Sequence, residues 1–199
     1  MTVENINKVK MGALQLLNPR PVVLIGTVLD GKPNFLTVSW AGITSADPPT
    51  MSVAIRKIRY SLAGIEKSGT FSVNMPSEDM VNETDFCGNF SGADRDKVSE
   101  CNFNIFYGKL KQAPLIEQCP VNIECEVIRK IELGDHFLFI GKIIETYVSD
   151  SCFTEGIPDL RKIKPLCFCT FTTDAMGYYK IGKFIADTGT AENKLETIK

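Results

Sequence analysis

The chain has 199 residues, of which 44% are hydrophobic and 23% charged, and its formal net charge is −2 at pH 7. This balance is typical of a globular protein with one domain over residues 1–199, and it argues against a nucleic-acid-binding surface, since such surfaces concentrate Lys and Arg. No apolar run approaches the length that spans a bilayer and residues 1–12 lack the core of a signal peptide, so we expect a cytoplasmic protein without a membrane partner.

Seven segments have the alternating or β-branched composition of strands. They span residues 20–29, 35–40, 50–55, 70–75, 120–128, 136–149 and 166–172. The sixth segment is long enough to bend, and we expect the bend at Gly141. Helical signals are few and short, so the pattern predicts a mainly β protein, either a barrel or a sandwich.

Three short helices are predicted between these strands. Ser61 has the character of an N-cap, and Gly69 is a stop signal for the helix that follows it. Ser77 is expected to cap a second helix that begins with acidic residues and ends at Gly88. Residues 92–100 are the third candidate.

The seven cysteines are an odd number and contain no CxxC pair, which fits a reducing compartment better than a disulfide framework. We interpret them as small buried hydrophobic residues. The alternative is a zinc site, but its spacing is looser than that of tetrahedral zinc sites, and we therefore predict no metal. That alternative would use Cys119, Cys125, Cys167 and Cys169.

A basic cluster follows the predicted strand 50–55 in the sequence IRKIRYS. Arg56 and Arg59 precede a predicted helix start at Ser61, where unpaired N–H groups and the helix dipole favour an anion. Guanidinium groups bind phosphate oxygens bidentately, so the cluster fits a pocket for one phosphate. A solvated basic turn, which would include Lys57, is the alternative.

The stretch SWAGITSADPPT, residues 39–50, holds the only tryptophan of the chain, Trp40. Ala41 and Gly42 allow a flat ligand to approach the backbone closely, and Thr44 and Ser45 offer hydroxyl groups. Such a surface suits a flavin or a pterin. A tight connection between two strands explains the same residues.

The two stretches are separated by one predicted strand, so their functional groups are expected at the ends of adjacent antiparallel strands. A planar ring against residues 40–45 and a phosphate at residues 56–61 describe a mononucleotide, and FMN fits best. Neither a G-x-G-x-x-G nor a Walker motif is present, so the sequence supports neither a Rossmann nor a P-loop site.

Two further groups of residues each allow two interpretations. His136, the only histidine, begins a predicted strand as either a surface residue or a residue at the edge of a cofactor. Thr84, Asp85 and Cys87 lie near the end of the second predicted helix. They either cap and pack that helix end or contact the ligand.

Six motifs of the chain occur together and in a fixed order. They are NPRPVVLIGT, LTVSWAGITSADPP, VAIRKIRYS, FSVNMPSEDMVNETDFCG, LGDHFLFIGKI and YYKIG. Over about residues 11–182 the chain resembles the flavoredoxin branch of the flavin reductase-like family. Residues 183–199 form a tail outside this resemblance.

The resemblance implies an FMN-binding split β-barrel, which is antiparallel with Greek-key-like connections and a few short helices, and a homodimer. It implies a ring-binding surface formed by Thr37, Ser39, Trp40, Ala41, Gly42, Ile43, Thr44 and Ser45. It places the phosphate against Arg56, Arg59, Tyr60 and Ser61. It puts other cofactor-binding residues nearby, namely Asn74, Thr84, Asp85 and Cys87.

The resemblance also implies a function. His136 falls where the family has a histidine close to the flavin or the incoming nicotinamide. The expected activity is an oxidoreductase that passes electrons from NAD(P)H through FMN to a flavin, a ferric complex or a protein. An electron carrier that does not itself oxidise NAD(P)H and a non-enzymatic binding barrel are the alternatives.

Overall fold

Antiparallel strands are the main secondary structure of the protein, which a computed structural model describes for residues 7–172, 175–186 and 188. All seven predicted strands are confirmed: 70–75 and 166–172 have the predicted ends, 20–29 is divided into two strands, and the other ends are shifted. The strands are β1 (Arg20–Pro21), β2 (Val23–Leu29), β3 (Lys32–Val38), β4 (Ala41–Ala46), β5 (Pro49–Arg56), β6 (Thr70–Met75), β7 (Ile105–Phe106), β8 (Leu115–Ile116), β9 (Val121–Leu133), β10 (His136–Val148), β11 (Phe153–Thr154), β12 (Ile157–Pro158), β13 (Leu166–Thr172) and β14 (Ala175–Lys180).

The helices are short, as predicted. They are α1 (Ser61–Ser68), α2 (Val81–Asn89), α3 (Lys97–Glu100) and α4 (Leu160–Ile163), with single 3₁₀ turns at Glu78–Met80 and Asp150–Cys152. Within the described ranges, no helix has both the length and the hydropathy needed to cross a bilayer.

Seven strands form one antiparallel sheet in the order β3-β2-β6-β9-β10-β5-β4. Its edge strands β3 and β4 are neighbours in the chain, joined only by Ser39 and Trp40. The carbonyl oxygen of Trp40 accepts a hydrogen bond of 2.9 Å from the amide of Ala54 in β5. The sheet therefore curls until its two edges meet at this two-residue connection, which we call the seam. The result is the predicted split barrel.

Two hydrophobic clusters stabilise the barrel. The first fills its interior, and α1 contributes Leu62 and Ile65 to it. The second lies between β2, β3 and α2 and includes Leu24, Phe35 and Cys87. Residues 23–28 of β2 are buried on both faces of the strand as a consequence. Each large side chain so buried contributes about 1.5–3 kcal/mol.

The bend expected at Gly141 is present. The pairing of β9 with β10 shifts register between Ile140 and Gly141. A Cβ at Gly141 would lie 2.7 Å from the Phe71 ring, which allows no side chain larger than hydrogen without a shift. The glycine thus combines a bulge with close packing against the core.

Among the strands longer than two residues, two were not predicted. Residues 41–46 were interpreted as close-packing polar backbone, but they form β4, an edge strand whose side chains are mostly exposed. β14 pairs with β13 in a separate sheet of order β1-β13-β14, and its side chains are also largely exposed. Neither strand buries a full face, so neither shows the alternation that predicts one.

The predicted helix ends need correction at the first two helices. Tyr60, in αR conformation, precedes α1, and Ser61 is its first residue rather than its N-cap. Gly69 is confirmed as the C-cap of α1, with φ of 66°. Helix α2 continues one residue past Gly88.

The third candidate helix, residues 92–100, is helical only in α3, which Asp96 caps by accepting from the Ser99 amide at 3.2 Å. Most of the predicted tail 183–199 lies outside the described residues.

Candidate functional site

A cleft of about 140 Å³ opens at the seam of the barrel. Its lining comes from the end of β3, the seam, the end of β5 and two single residues further along the chain. These are residues 36–38, Ser39 and Trp40, residues 54–56, Arg59 and His136. Of the predicted cofactor-binding residues, the fold thus brings together Thr37, Ser39, Trp40, Arg56 and Arg59, and it adds His136.

Two arginines make one end of the cleft positive. Arg56 is exposed, and its Nε lies 3.6 Å from Asp135 Oδ2. Arg59 is half-buried and donates from Nη1 to the Gly88 carbonyl oxygen at 3.0 Å, at the C-terminal end of α2. Lys57 points elsewhere, since its Nζ pairs with Glu132 and lies 5.2 Å from the centre of the Phe137 ring. Arg56 and Arg59 are the cationic residues among the described lining of the cleft, and Asp135 pairs with Arg56 beside it, so the balance of charge favours an anion.

Two aromatic rings stack at the mouth of the cleft. The imidazole of His136 and the indole of Trp40 have centroids 4.7 Å apart and planes 24° from parallel. Nδ1 of His136 lies 2.7 Å from Asp135 Oδ1. This hydrogen bond lowers the pKa of Asp135, and it leaves Nε2 as the free nitrogen of the ring. Asp135 thus fixes the orientation of His136.

The remaining predicted ring-binding residues lie along β4, outside the cleft lining. Gly42 faces open space, and the Ile43 side chain is 69% exposed. Thr44 Oγ1 is 2.7 Å from Thr50 Oγ1, and Ser45 donates to the Asp47 carbonyl oxygen at 3.3 Å. Ala41 packs against the first hydrophobic cluster. Contact of residues 41–45 with a ligand stays a prediction.

Tyr60 and Ser61 follow the arginines but do not line the cleft. Ser61 is buried, and its Oγ accepts from Asn34 Nδ2 at 2.6 Å. The hydroxyl predicted for phosphate binding is therefore engaged inside the protein. Tyr60 is 37% exposed and packs near Gly92.

Asn74, predicted to bind the cofactor, is fully buried and its side-chain amide is saturated with hydrogen bonds to the protein. Its Nδ2 donates to the Leu24 carbonyl oxygen at 3.0 Å and to Ser72 Oγ at 2.9 Å. Its Oδ1 accepts from the Ile116 amide at 3.0 Å and from Asn122 Nδ2 at 2.8 Å. An amide group with four partners has none left for a ligand.

Thr84 and Cys87, also predicted to contact the cofactor, are engaged inside the protein as well. Thr84 is buried, and its hydroxyl donates to the Met80 carbonyl oxygen at 2.7 Å, within its own helix. Its backbone alone reaches towards the site, since its carbonyl oxygen accepts from Thr37 Oγ1. The Cys87 side chain lies in the second hydrophobic cluster, and burial raises the pKa of its thiol. This explains why the packing interpretation holds for Cys87.

Asp85 is exposed on α2 and joins that helix to the small sheet. Its Oδ2 accepts from Asn89 at 2.8 Å, and its Oδ1 accepts from the Tyr178 hydroxyl at 3.2 Å. Burial, together with this carboxylate, raises the pKa of Tyr178. Asp85 is thus a link between α2 and β14.

One charged residue near the site was missed by the sequence interpretation. Lys97, in α3, is only 3% exposed and donates from Nζ to the carbonyl oxygens of Phe35 and Cys87, both at 2.9 Å. It lies in the polar sequence GADRDKVSE, which gives no sign of a buried position.

The cysteines weighed for a zinc site are not all brought together. Cys119 belongs to the second hydrophobic cluster and Cys125 to the first. Over residues 7–172, 175–186 and 188, no three His, Cys, Asp or Glu side chains are grouped to hold a metal ion.

Known proteins are similar to this chain in sequence and in fold. The sequence model of the flavin reductase like domain matches residues 16–171. The flavoredoxin of Methanosarcina acetivorans has 34% identity and a TM-score of 0.88, covering 96% of this chain and all of that one. The flavoredoxin of Desulfovibrio vulgaris (Miyazaki F) has 34% identity and a TM-score of 0.85, covering 94% and 100%. A flavin reductase of Pseudomonas putida is 29% identical over 119 residues, 60% of this chain and 66% of the relative.

Proposed function

Because the chain belongs to the flavin reductase like domain family, we propose that it is a flavoprotein that binds FMN in the cleft at the seam. The observation that carries this proposal is a cleft lined both by two arginines, Arg56 and Arg59, and by the stacked pair Trp40–His136. Positive charge and aromatic surface together suit a ligand with a phosphate and a planar ring.

The chemistry of the lining fits such a ligand. Leu36, Val38 and Ile55 are buried and give the cleft an apolar base, which excludes water from one face of a ring. The hydroxyls of Thr37 and Ser39 offer polar contacts to its edge. Arg56 and Arg59 carry the positive charges that a phosphate dianion requires.

The proposed activity is oxidoreduction, with electrons passing from NAD(P)H to a flavin, a ferric complex or a protein acceptor. FMN, when bound, supplies the electron-transfer chemistry, and the chain's residues bind and orient it. His136, held through Nδ1 by Asp135, presents Nε2 as a hydrogen-bonding group at the cleft mouth. Trp40 covers one face of that imidazole and keeps it in place.

An electron carrier without NAD(P)H oxidation is the second candidate. It is favoured by the two structural relatives at 34% identity, both of which are named flavoredoxins. Rapid mixing of the FMN-loaded protein with NADH and with NADPH separates the candidates. Bleaching of the flavin absorbance within seconds supports the reductase, and an unchanged spectrum supports the carrier.

We further propose that the protein is a homodimer. The edge strand β4 exposes Ile43, and the β13–β14 sheet exposes Phe171, Met176 and Tyr179, each more than half accessible. Apolar exposure on this scale is typical of surfaces that a partner covers. A monomer mass by light scattering would contradict this proposal. We expect a cytoplasmic location, where the seven free cysteines stay reduced.

The cofactor proposal has a direct test. The purified protein is mixed with excess FMN, desalted, and examined for flavin absorbance, with riboflavin as the ligand that lacks the phosphate. We expect FMN to remain bound more tightly than riboflavin. If no flavin chromophore remains after desalting with either ligand, the proposed function is wrong.

A further inference from the structure

Lys97 carries a charge that its surroundings balance only in part. The side chain is buried, and its ammonium group donates to two neutral carbonyl oxygens, those of Phe35 and Cys87. In the described part of the chain it forms no ion pair with a carboxylate. Burying an unpaired cation is costly, so such a residue is unusual in a structure that has no use for it.

The two carbonyl acceptors connect Lys97 to the cleft. Phe35 precedes Leu36 and Thr37, which line the cleft from β3. Cys87 precedes Gly88, whose carbonyl oxygen accepts from Arg59 Nη1 at 3.0 Å. Lys97 and Arg59 therefore bind successive carbonyls at the C-terminal end of α2, where the helix dipole places partial negative charge. One cation lies inside the protein, and the other faces the cleft.

The other titratable groups around Lys97 do not neutralise it. The Cys87 and Cys101 thiols are neighbours, and burial raises the pKa of both, so they are uncharged near neutral pH. Burial lowers the pKa of Lys97, and the Arg59 guanidinium lowers it further. The remaining charged side chains of the packed elements β3, α2 and α3 are Lys32, Glu83, Asp85 and Glu100.

Lys32, Asp85 and Glu100 lie at or near the surface, and two of them have partners of their own. Glu100 pairs with Arg95, and Asp85 accepts from Asn89 and Tyr178. Glu83 is half-buried, and among the described residues its Oε2 is shielded from solvent without a hydrogen-bond partner and does not pair with Lys97. The side chains of Lys32 and Asp85 are exposed. An anion at the Arg59 end of the cleft would thus be the counter-charge that Lys97 lacks.

We propose that Lys97 is a positioning residue for a phosphate bound at Arg59. By binding the Cys87 carbonyl, Lys97 holds the end of α2 whose next carbonyl orients Arg59, and it adds a second, buried positive charge behind Arg59. The inference rests on the proposed function and deepens it, since the ligand class is a phosphomonoester dianion such as that of FMN. Lys97 does not touch the ligand. It acts through α2 and through its electric field, which water screens little in the interior.

The first test compares Lys97→Met with Lys67→Met, a matched change at an exposed lysine of α1 that pairs only with Asp30. The dissociation constants of FMN and riboflavin are measured for each variant. For Lys97→Met we expect the preference for FMN over riboflavin to fall by about tenfold, because one charge near the phosphate is lost. For Lys67→Met we expect no change in this preference.

A purely structural role gives a different result. In that case Lys97→Met lowers the melting temperature and weakens both flavins equally, which would overturn the proposal. If the unmodified protein binds neither FMN nor riboflavin, both the proposed function and this inference are wrong. Binding of FMN with an unchanged preference overturns this inference alone.

The second test needs no folded variant and uses the unmodified protein. A phosphate dianion favours the protonated lysine, so bound FMN raises the proton affinity of Lys97. The preference for FMN over riboflavin is then greatest below the pKa of Lys97 in the free protein and declines as the pH rises through it. A preference that is constant from about pH 7 to about pH 10 would overturn the proposal.

Discussion

The imidazole of His136 lies against the indole of Trp40, with ring centroids 4.7 Å apart, although 96 residues separate them in the chain. One ring comes from the start of β10 and the other from the seam between β3 and β4. Their contact therefore joins the seam to the start of β10 across β5. It also places the only tryptophan of the protein at the mouth of the cleft.

The position of Trp40 makes its fluorescence a reporter of ligand binding. We expect FMN to quench the intrinsic emission of the protein, because an indole that lines the cleft lies close to a flavin, which absorbs where tryptophan emits. The measurement is a fluorescence titration, with Trp40→Phe as the variant that removes the signal. Flavin that co-elutes with the protein while the emission stays constant would show that FMN binds elsewhere.

The arginines of the cleft are expected to recognise the phosphate. Arg56→Ala should weaken FMN more than riboflavin, by about 1.5–3 kcal/mol, because a charge-assisted hydrogen bond is lost. Arg129, exposed on β9, is a matched control whose removal should affect neither ligand. The measurement is isothermal titration with both ligands. Equal weakening of FMN and riboflavin binding would show that Arg56 does not contact the phosphate.

His136 is expected to act on reduction rather than on cofactor affinity. His136→Ala should retain FMN but change the rate at which a nicotinamide bleaches it. Asp135→Asn should change this rate in the same direction and by less, since Asp135 acts only by orienting the imidazole through Nδ1. Stopped-flow traces with NADH and NADPH measure both effects. Identical rates in all three proteins would make His136 a surface residue without a role.

Asn74 is expected to matter for stability alone. Asn74→Ala should lower the free energy of unfolding by about 3 kcal/mol, because it leaves the Leu24 carbonyl and the Ile116 amide without partners inside the protein. Asn82→Ala, at an exposed position of α2, is the control. Urea denaturation of both variants gives the comparison. If the variant has normal stability but no longer binds FMN, Asn74 contacts the cofactor.

The cysteines are expected to differ in reactivity. Burial raises the pKa of Cys125 to about 12 and raises the pKa of Cys87 and Cys119 further. Because the thiolate is the reactive form, these three should resist alkylation in the folded protein near neutral pH and react fully after unfolding. Mass spectrometry of peptides alkylated with iodoacetamide identifies the sites. Rapid labelling of Cys87 in the folded protein would contradict its burial.

Sequence patterns predicted the barrel well because most of its strands bury one face and therefore alternate. The same reasoning missed β4, because an edge strand that exposes residues such as Ile43 has no buried face to reveal it. It also extended the third helix too far, since a polar sequence does not show where helical hydrogen bonding begins.

The site was predicted along the chain more accurately than across the sheet. Trp40, Arg56 and Arg59 follow strand ends, and strand ends of a barrel meet, so their convergence was accessible from the sequence. The sequence did not show which side of a strand or helix a polar residue faces. Asn74 and Lys97 are both buried, and nothing in their neighbouring residues distinguishes them from exposed polar residues.

The seam has a consequence for how this protein tolerates change. The two edges of the sheet are joined there by only two residues, whereas the rest of the barrel is held by pairings between distant segments, such as that of Leu24 with Asn74 across 50 residues. Closing so short a connection costs little conformational entropy, and the seam contributes few of the strand pairings that hold the barrel together. Substitutions around it can therefore change which ligand the cleft accepts, while the pairings that define the barrel stay intact.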